Sequence, residues 1–184
     1  MLRILIFGAA GSGATTVAKK ISDILEISHF DSDEYYWIKT DPPYRVKQPL
    51  IERQKNLKAD LEKERNWVVS GSLHAWGAFI SELLTHAVFL YVPKALRMQR
   101  LADREQTRYG HRIREGGDMF EHHRAFMEWA ASYDDETSTS SRTKLKHLNW
   151  KDSLPCPVFE IQNDEAVDVI VRKILKECLS SQNI

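Results

Sequence analysis

A glycine-rich turn near the start of the chain constrains its fold more than any other feature. Gly8, Gly11 and Gly13 follow an apolar run, Leu2–Phe7, which predicts a buried strand, and they precede a stretch, Thr15–Leu25, with helical spacing. Glycine permits a sharp turn and lets successive backbone N–H groups point inward. A helix that begins directly after the turn adds the partial positive charge of its first N–H groups. The segment therefore predicts a backbone cradle for phosphate groups.

The turn matches the Walker A motif, G-x-x-x-x-G-K-[ST], at every defined position except the lysine. Gly8 and Gly13 have the required spacing, Thr15 stands where the Mg²⁺-binding hydroxyl is expected, and Ala14 occupies the lysine position. The charge that normally reaches the β- and γ-phosphates must therefore come from elsewhere or be absent. We expect ATP and Mg²⁺ to bind at the loop residues Gly8, Gly11, Ser12, Gly13, Ala14, Thr15 and Thr16.

Composition sets broad limits on the class of protein. The 184 residues are 42% hydrophobic and 28% charged with a formal net charge of zero, which predicts one domain over residues 1–184 and no general affinity for nucleic acid or anionic membranes. No apolar stretch approaches the roughly 20 residues that span a bilayer. Cys156 and Cys178 lack metal-like spacing and are typical of reduced thiols in a cytoplasmic protein.

Strand-like and helix-like segments alternate along the chain, which favours a doubly wound α/β fold with a parallel sheet. The predicted strands are Leu2–Phe7, Ile27–Phe30, Trp67–Ser70, Ala87–Val92 and Pro157–Ile161. The predicted helices are Thr15–Leu25, Leu50–Glu64, Ala75–Leu84, Ala95–Tyr109, Asp118–Ser132 and Ala166–Leu179. The polar run of residues 134–143 is interpreted as a loose connection. In such sheets ligands bind beyond the carboxyl ends of the strands.

With these parts in place, the chain resembles the nucleoside-monophosphate kinase and shikimate kinase group of P-loop enzymes. The resemblance covers nearly the whole length and rests on GAAGSGATT, FDSDEYYW, VVSGS and a LYVP strand end followed by RMQRLADREQTRYGHRIR. It is most similar to proteins labelled adenylate-kinase-like, whose loop carries a small residue instead of lysine. The resemblance implies a three-layer P-loop NTPase fold, with a five-stranded parallel sheet of order 2-3-1-4-5, helices on both faces and a mobile lid, for which we expect residues 108–118.

Two aspartates follow the second predicted strand. Asp31 and Asp33 can both face the cleft if the backbone there is extended. Phosphoryl transfer to a hydroxyl needs a carboxylate that orients or deprotonates the acceptor, and often a second that holds Mg²⁺. We predict that both are catalytic, with Asp33 at the acceptor and Asp31 sharing Mg²⁺ with Thr15. In the alternative interpretation, Asp31 caps the next helix and Asp33 is solvated.

Four further residues are candidates for binding the acceptor. Trp37 belongs to an aromatic cluster beside the aspartates, although such aromatics also pack on a sheet. Arg45 could bind an anionic group of the substrate, although a lone surface arginine usually has no specific role. Gly71 and Ser72 directly follow the third predicted strand at the cleft, where glycine would permit close backbone approach.

The fourth predicted helix and the loop after it are rich in arginine. Arg97, Arg100, Arg104 and Arg108 recur at three- and four-residue spacing, which places them on one helical face. Guanidinium groups match phosphate oxygens with two-point contacts. Similar enzymes place lid arginines over the transferring phosphoryl group. We predict that Arg104 and Arg108 are catalytic and replace the missing lysine, although a solvated basic face would give the same pattern.

The favoured function is an ATP-dependent phosphotransferase acting on a nucleotide or a small hydroxyl metabolite, as a monomer or homodimer. The first alternative is a nucleotide-binding protein without kinase activity, with a sensory or regulatory role. The second is a scaffold that binds a non-nucleotide phosphate compound.

Overall fold

Five apolar runs form one parallel sheet at the centre of the computed structural model, which describes residues 1–180. The strands of this sheet are β1 (Arg3–Gly8), β2 (Ser28–Asp31), β5 (Trp67–Ser70), β6 (His86–Tyr91) and β7 (Val158–Gln162), and a separate antiparallel ribbon consists of β3 (Trp37–Ile38) and β4 (Val46–Lys47). The spatial order is β2-β5-β1-β6-β7, and every neighbouring pair is parallel. All five carboxyl ends therefore lie at one edge of the sheet.

Eight α-helices accompany the strands within the described residues. They are α1 (Ala14–Leu25), α2 (Ser32–Tyr36), α3 (Leu50–Leu61), α4 (Phe79–Leu83), α5 (Lys94–Tyr109), α6 (Phe120–Ala131), α7 (Lys144–Ser153) and α8 (Val167–Ser180). No helix in residues 1–180 has both the length and the apolar character needed to cross a membrane.

The sheet has a hydrophobic core on each face, because successive side chains of a strand point to opposite sides. In β1, Ile4 and Ile6 pack into the core formed with α1 and α8, whereas Leu5 and Phe7 pack into the core formed with α3, α4 and α7. Burial on both faces explains why the strand sequences are continuously apolar rather than alternating. The central strand fixes the position of the glycine-rich turn that follows it.

The predicted fold class is confirmed. Counted in chain order, the strands of the large sheet have the order 2-3-1-4-5, and their bounds differ from the predicted ones by no more than one residue at each end. The helix predicted over Ala75–Leu84 is wrong in its first half, because Gly77 has a φ of +85° and the helix begins only at Phe79. Helix α7, after the predicted loose connection, was not anticipated, since its sequence is polar and short.

Candidate active site

The glycine-rich turn has the geometry of an anion cradle. Gly13 is the N-terminal cap of α1 in the left-handed region, with a φ of +86°, and no side chain caps the helix. A Cβ at Gly8 would lie 2.4 Å from the carbonyl oxygen of Leu90, so a side chain there would push β1 and β6 apart. An uncapped helix N-terminus directs N–H groups and favourable partial charge at an anion. Although the loop lacks the Walker A lysine, it therefore has the backbone features that phosphate binding requires.

Asn163 holds the loop from the end of β7, the second strand from β1 in the sheet. This buried residue directly follows β7, and its Nδ2 donates to the carbonyl oxygen of Ser12 at 2.6 Å. A Cβ at Gly13 would lie 2.7 Å from the same amide nitrogen. The cradle is thus held by a side chain from a distant part of the chain, which local sequence spacing does not report.

Thr15 and Asp31 meet at the mouth of the cradle. The Thr15 hydroxyl donates to Oδ2 of Asp31 at 3.0 Å, while Oδ1 of the same carboxylate accepts from the Asp33 N–H at 3.0 Å and caps α2. Asp31 therefore acts as a helix cap and also faces the loop. Within residues 1–180 no group of three or more His, Cys, Asp or Glu residues could hold a metal. One hydroxyl and one carboxylate nevertheless fit Mg²⁺, which keeps several waters and takes phosphate oxygens as its other ligands.

Asp33 lies in the first turn of α2, beyond the carboxyl end of β2, and we term the region around it the cleft. Its side chain reaches solvent, yet the surrounding protein desolvates the carboxylate and, with the nearby charge of Asp31, raises its pKa. The guanidinium groups of Arg142, Arg104 and Arg108 oppose this rise, because they favour the charged form. The charges of both predicted arginines therefore act on Asp33, although no hydrogen bond or ion pair within residues 1–180 joins them to its carboxylate.

The arginines of α5 occupy three different environments rather than one solvated face. Arg97 is fully buried, whereas Arg108 is exposed and makes no hydrogen bond or ion pair within the described residues. Arg104 lies between these extremes: its Nε and one terminal nitrogen donate to Oε1 of Glu105 at 3.2 and 2.9 Å. Arg108 is thus the freer of the two predicted catalytic arginines.

Hydrogen bonds of Arg97 link the glycine-rich loop to the end of α6. Its guanidinium donates to the carbonyl oxygens of Ala130 at 2.8 Å and Ala10 at 3.4 Å, and pairs with Asp134 at 2.6 Å. The sequence pattern grouped this arginine with the others because helical spacing does not distinguish a buried position from an exposed one. It acts here as a support beneath the loop.

We expect Arg97→Met to lower the free energy of unfolding by about 3 kcal/mol, because truncation leaves Asp134 and two carbonyl groups without their buried partner. Urea denaturation measures this loss. The matched control, Arg100→Met, changes a half-exposed arginine of the same helix and should stay within about 0.5 kcal/mol of the unsubstituted protein. Equal losses in the two variants would contradict the supporting role of Arg97.

Arg142 is a residue of the cleft that the sequence pattern did not indicate. It is half-buried in the connection before α7, and its guanidinium lies 5.3 Å from the ring centroid of Trp129. Burial lowers the pKa of Arg142, and the charge of Asp33 opposes this effect. Within residues 1–180 the guanidinium has no hydrogen-bond or ion-pair partner. A single arginine in a polar run carries no periodic signal, and only the fold brings it towards Asp33.

The four predicted acceptor residues lie in different places. Trp37, in the ribbon strand β3, packs edge to face against the ring of Tyr36. It also lines a depression of about 580 Å³ between α2, the ribbon and α3. Gly71 has a φ of +109°, and a Cβ there would lie 1.9 Å from the Ser32 hydroxyl. The close backbone approach predicted for Gly71 is therefore an approach to α2. The hydroxyl of the buried Ser72 lies within hydrogen-bond distance of two histidine rings.

The loop after α5 contacts the loop between the two ribbon strands. Arg112 pairs with Asp41 at 2.9 Å and with Asp118 at 2.6 Å, and Arg45 donates to the carbonyl oxygen of Asp118 at 3.2 Å. The fourth acceptor candidate, Arg45, is thus engaged with the predicted lid. Residues 110–113 form a 3₁₀ turn inside this segment.

Comparison with known proteins gives a family match and related chains. A family model described as "AAA domain" matches residues 4–125. The chain is 35% identical over 172 residues to the uncharacterized protein YqaC of Bacillus subtilis (strain 168), covering 94% of each. It is 29% identical over 115 residues to a cytidylate kinase of Archaeoglobus fulgidus, covering 56% of this chain and 62% of that protein.

The fold also matches a solved structure. A shikimate kinase from Bacteroides thetaiotaomicron superposes with a TM-score of 0.58 at 16% identity, covering 96% of this chain and 97% of that one. At this identity the likeness shows a common fold.

Proposed function

The chain belongs to the AAA domain family and to the P-loop nucleotide and small-molecule kinase group, and from this premise we propose that it is an ATP-dependent phosphotransferase. Its acceptor is a nucleotide or a small hydroxyl metabolite. The observation that carries the proposal is the 3.0 Å hydrogen bond from Thr15 to Asp31, which joins the cradle to the strand end that directly precedes the helix of Asp33. Phosphate binding and acceptor activation need this adjacency.

In this proposal the loop backbone binds the phosphates of ATP, and Thr15 and Asp31 hold Mg²⁺ directly or through water. The ion neutralises phosphate charge when it is bound. Asp33 accepts the proton of the acceptor hydroxyl as that oxygen bonds to the γ-phosphorus. The bond between the γ-phosphorus and the β–γ bridging oxygen breaks, and ADP leaves.

The cleft arginines supply the positive charge that Ala14 lacks. Arg104 and Arg108 contact the transferring phosphoryl group, and the unpaired guanidinium of Arg142 binds an anionic group of the acceptor. Support comes from the electrostatic influence of all three on Asp33. A desolvated, unpaired guanidinium is costly unless an anion meets it, which is why we assign Arg142 a ligand.

Thermal unfolding with ATP, in the presence and absence of Mg²⁺, tests nucleotide binding. A ligand at about 100 times its dissociation constant adds about 2.7 kcal/mol of stability, so we expect a clear Mg²⁺-dependent rise in Tm. In Thr15→Ala the Mg²⁺-dependent part should disappear, because the hydroxyl that faces Asp31 is gone. No rise with any nucleoside triphosphate would contradict the proposal.

Product analysis then separates transfer from binding alone. Cytidylate and shikimate, named by the relatives above, are the first acceptors to try, followed by other hydroxylated anions. ADP formation that depends on an acceptor supports a kinase. Stabilisation by ATP without any phosphorylated product would favour a nucleotide-binding protein without kinase activity.

A further inference from the structure

A chain of four hydrogen bonds lies behind the cleft and takes no part in the proposed chemistry. The Tyr133 hydroxyl lies 2.9 Å from Nδ1 of His147, whose Nε2 lies 2.7 Å from the Ser72 hydroxyl. That hydroxyl lies 2.9 Å from Nδ1 of His74, and Nε2 of His74 lies 2.8 Å from the carbonyl oxygen of Ser141. These four hydrogen bonds join the end of β5 to the segment that carries Arg142.

The carbonyl group at one end fixes every proton in the chain. The Ser141 oxygen can only accept, so Nε2 of His74 carries the proton and Nδ1 of that neutral ring accepts from Ser72. The one hydroxyl proton is then used, so Ser72 Oγ accepts from Nε2 of His147. Nδ1 of His147 consequently accepts from the Tyr133 hydroxyl, and each donor meets one acceptor.

Both histidines are neutral in this arrangement. Burial lowers the pKa of His147 to about 2 and also lowers the pKa of His74, and the nearby charge of Arg142 acts in the same direction on both rings. The His147 ring also lies edge-on to Phe7 and Phe89 in the core. A buried network whose members are all satisfied favours one arrangement of the elements that carry them.

This hydrogen-bond network anchors the backbone on both sides of Arg142. Ser141, directly before it, is bonded to His74, and Thr143, directly after it, caps α7 by accepting from the Lys146 N–H at 3.2 Å. Helix α7 in turn carries His147. The adjoining residues 135–142 form no helix or strand, so the position of this arginine depends on side-chain contacts such as these and on its contact with Trp129.

We propose that Ser72, His74 and His147 are positioning residues, which hold Arg142 at the cleft with its guanidinium free for an oxyanion. An arginine side chain loses much rotational freedom when it is fixed, and an anchored backbone reduces that loss on binding. The identity of the bound anion rests on the proposed function, whereas the placement of Arg142 does not. Ser72 thus acts through Arg142 rather than by contact with substrate.

Arginine labelling with p-hydroxyphenylglyoxal, read at each site by peptide mass spectrometry, tests the placement without any substrate. We expect labelling of Arg142 to be about fivefold to tenfold faster in Ser72→Ala and in His74→Phe, because each loses a bond that anchors the segment. His74→Gln keeps a donor for the Ser141 carbonyl and should restore slow labelling.

Two controls separate positioning from general destabilisation. His86 is buried and bonded to a hydroxyl at the opposite end of the sheet, so His86→Gln should leave Arg142 labelling unchanged. The fully buried Arg97 reports on global opening and should stay unlabelled in every variant. Unchanged Arg142 labelling in His74→Phe, or a rise matched at Arg97, would overturn the positioning role. Failure of ATP to stabilise the protein would overturn the proposed function alone.

Discussion

Asp33→Asn is expected to lower kcat for phosphoryl transfer about 10³-fold, within the range that general base catalysis contributes. Asparagine retains the size of the side chain but cannot accept the proton of the acceptor hydroxyl. The raised pKa of Asp33 brings the carboxylate closer to the working pH and makes it a better base than an ordinary surface aspartate. The KM for ATP should change little, because Thr15 and Asp31 are untouched.

Steady-state kinetics with the identified acceptor measure this effect. Glu34→Gln is the matched control, since it removes an exposed carboxylate from the next position of α2. Its kcat should stay near that of the unsubstituted enzyme. A large loss in the control, or none in Asp33→Asn, would remove Asp33 from the catalytic role.

Arg108→Ala is expected to lower kcat by about 10³-fold or more, the effect of removing an arginine that stabilises transition-state charge. Ala14 leaves the loop without its own cation, and Arg108 is an exposed guanidinium with no partner in residues 1–180. Arg104→Ala should also cause a severe loss. This substitution also removes the ion-pair partner of Glu105 and so leaves the buried Glu105 carboxylate without Arg104.

Lys19→Ala provides the comparison for these variants in the same kinetic assay. Lys19 is exposed on α1, more than one helical turn beyond the loop, and should not reach the phosphates. We expect its kcat to be unchanged. The reverse pattern, with activity lost only in Lys19→Ala, would mean that α1 supplies the missing charge.

The sequence predicted the parts of the site that depend on local geometry. The turn, the strand before it and the helix after it lie next to each other in the chain, so Gly13 and Thr15 could be placed from spacing alone. Asp31 could be placed as well, because the carboxyl ends of parallel strands share one edge of a sheet. The 3.0 Å contact between Thr15 and Asp31 follows from that topology.

Contacts between distant parts of the chain could not be predicted in this way. Arg142 is 109 residues beyond Asp33 in a run with no periodicity, and its placement depends on a helix, α7, whose short polar sequence gave no signal. The buried position of Arg97 depends on the end of α6 and on Asp134, which helical spacing within α5 does not report. Side-chain networks of this kind become visible only after the elements are packed.

The loop after α5 and the ribbon loop are joined at the protein surface by the ion pair of Arg112 with Asp41 and by the hydrogen bond from Arg45 to the carbonyl oxygen of Asp118. Exposed ion pairs are screened by dissolved salt, and screening is already strong at physiological ionic strength. The contact between the two loops is therefore expected to weaken as the ionic strength of the surroundings rises, whereas the two apolar cores of the sheet do not depend on it.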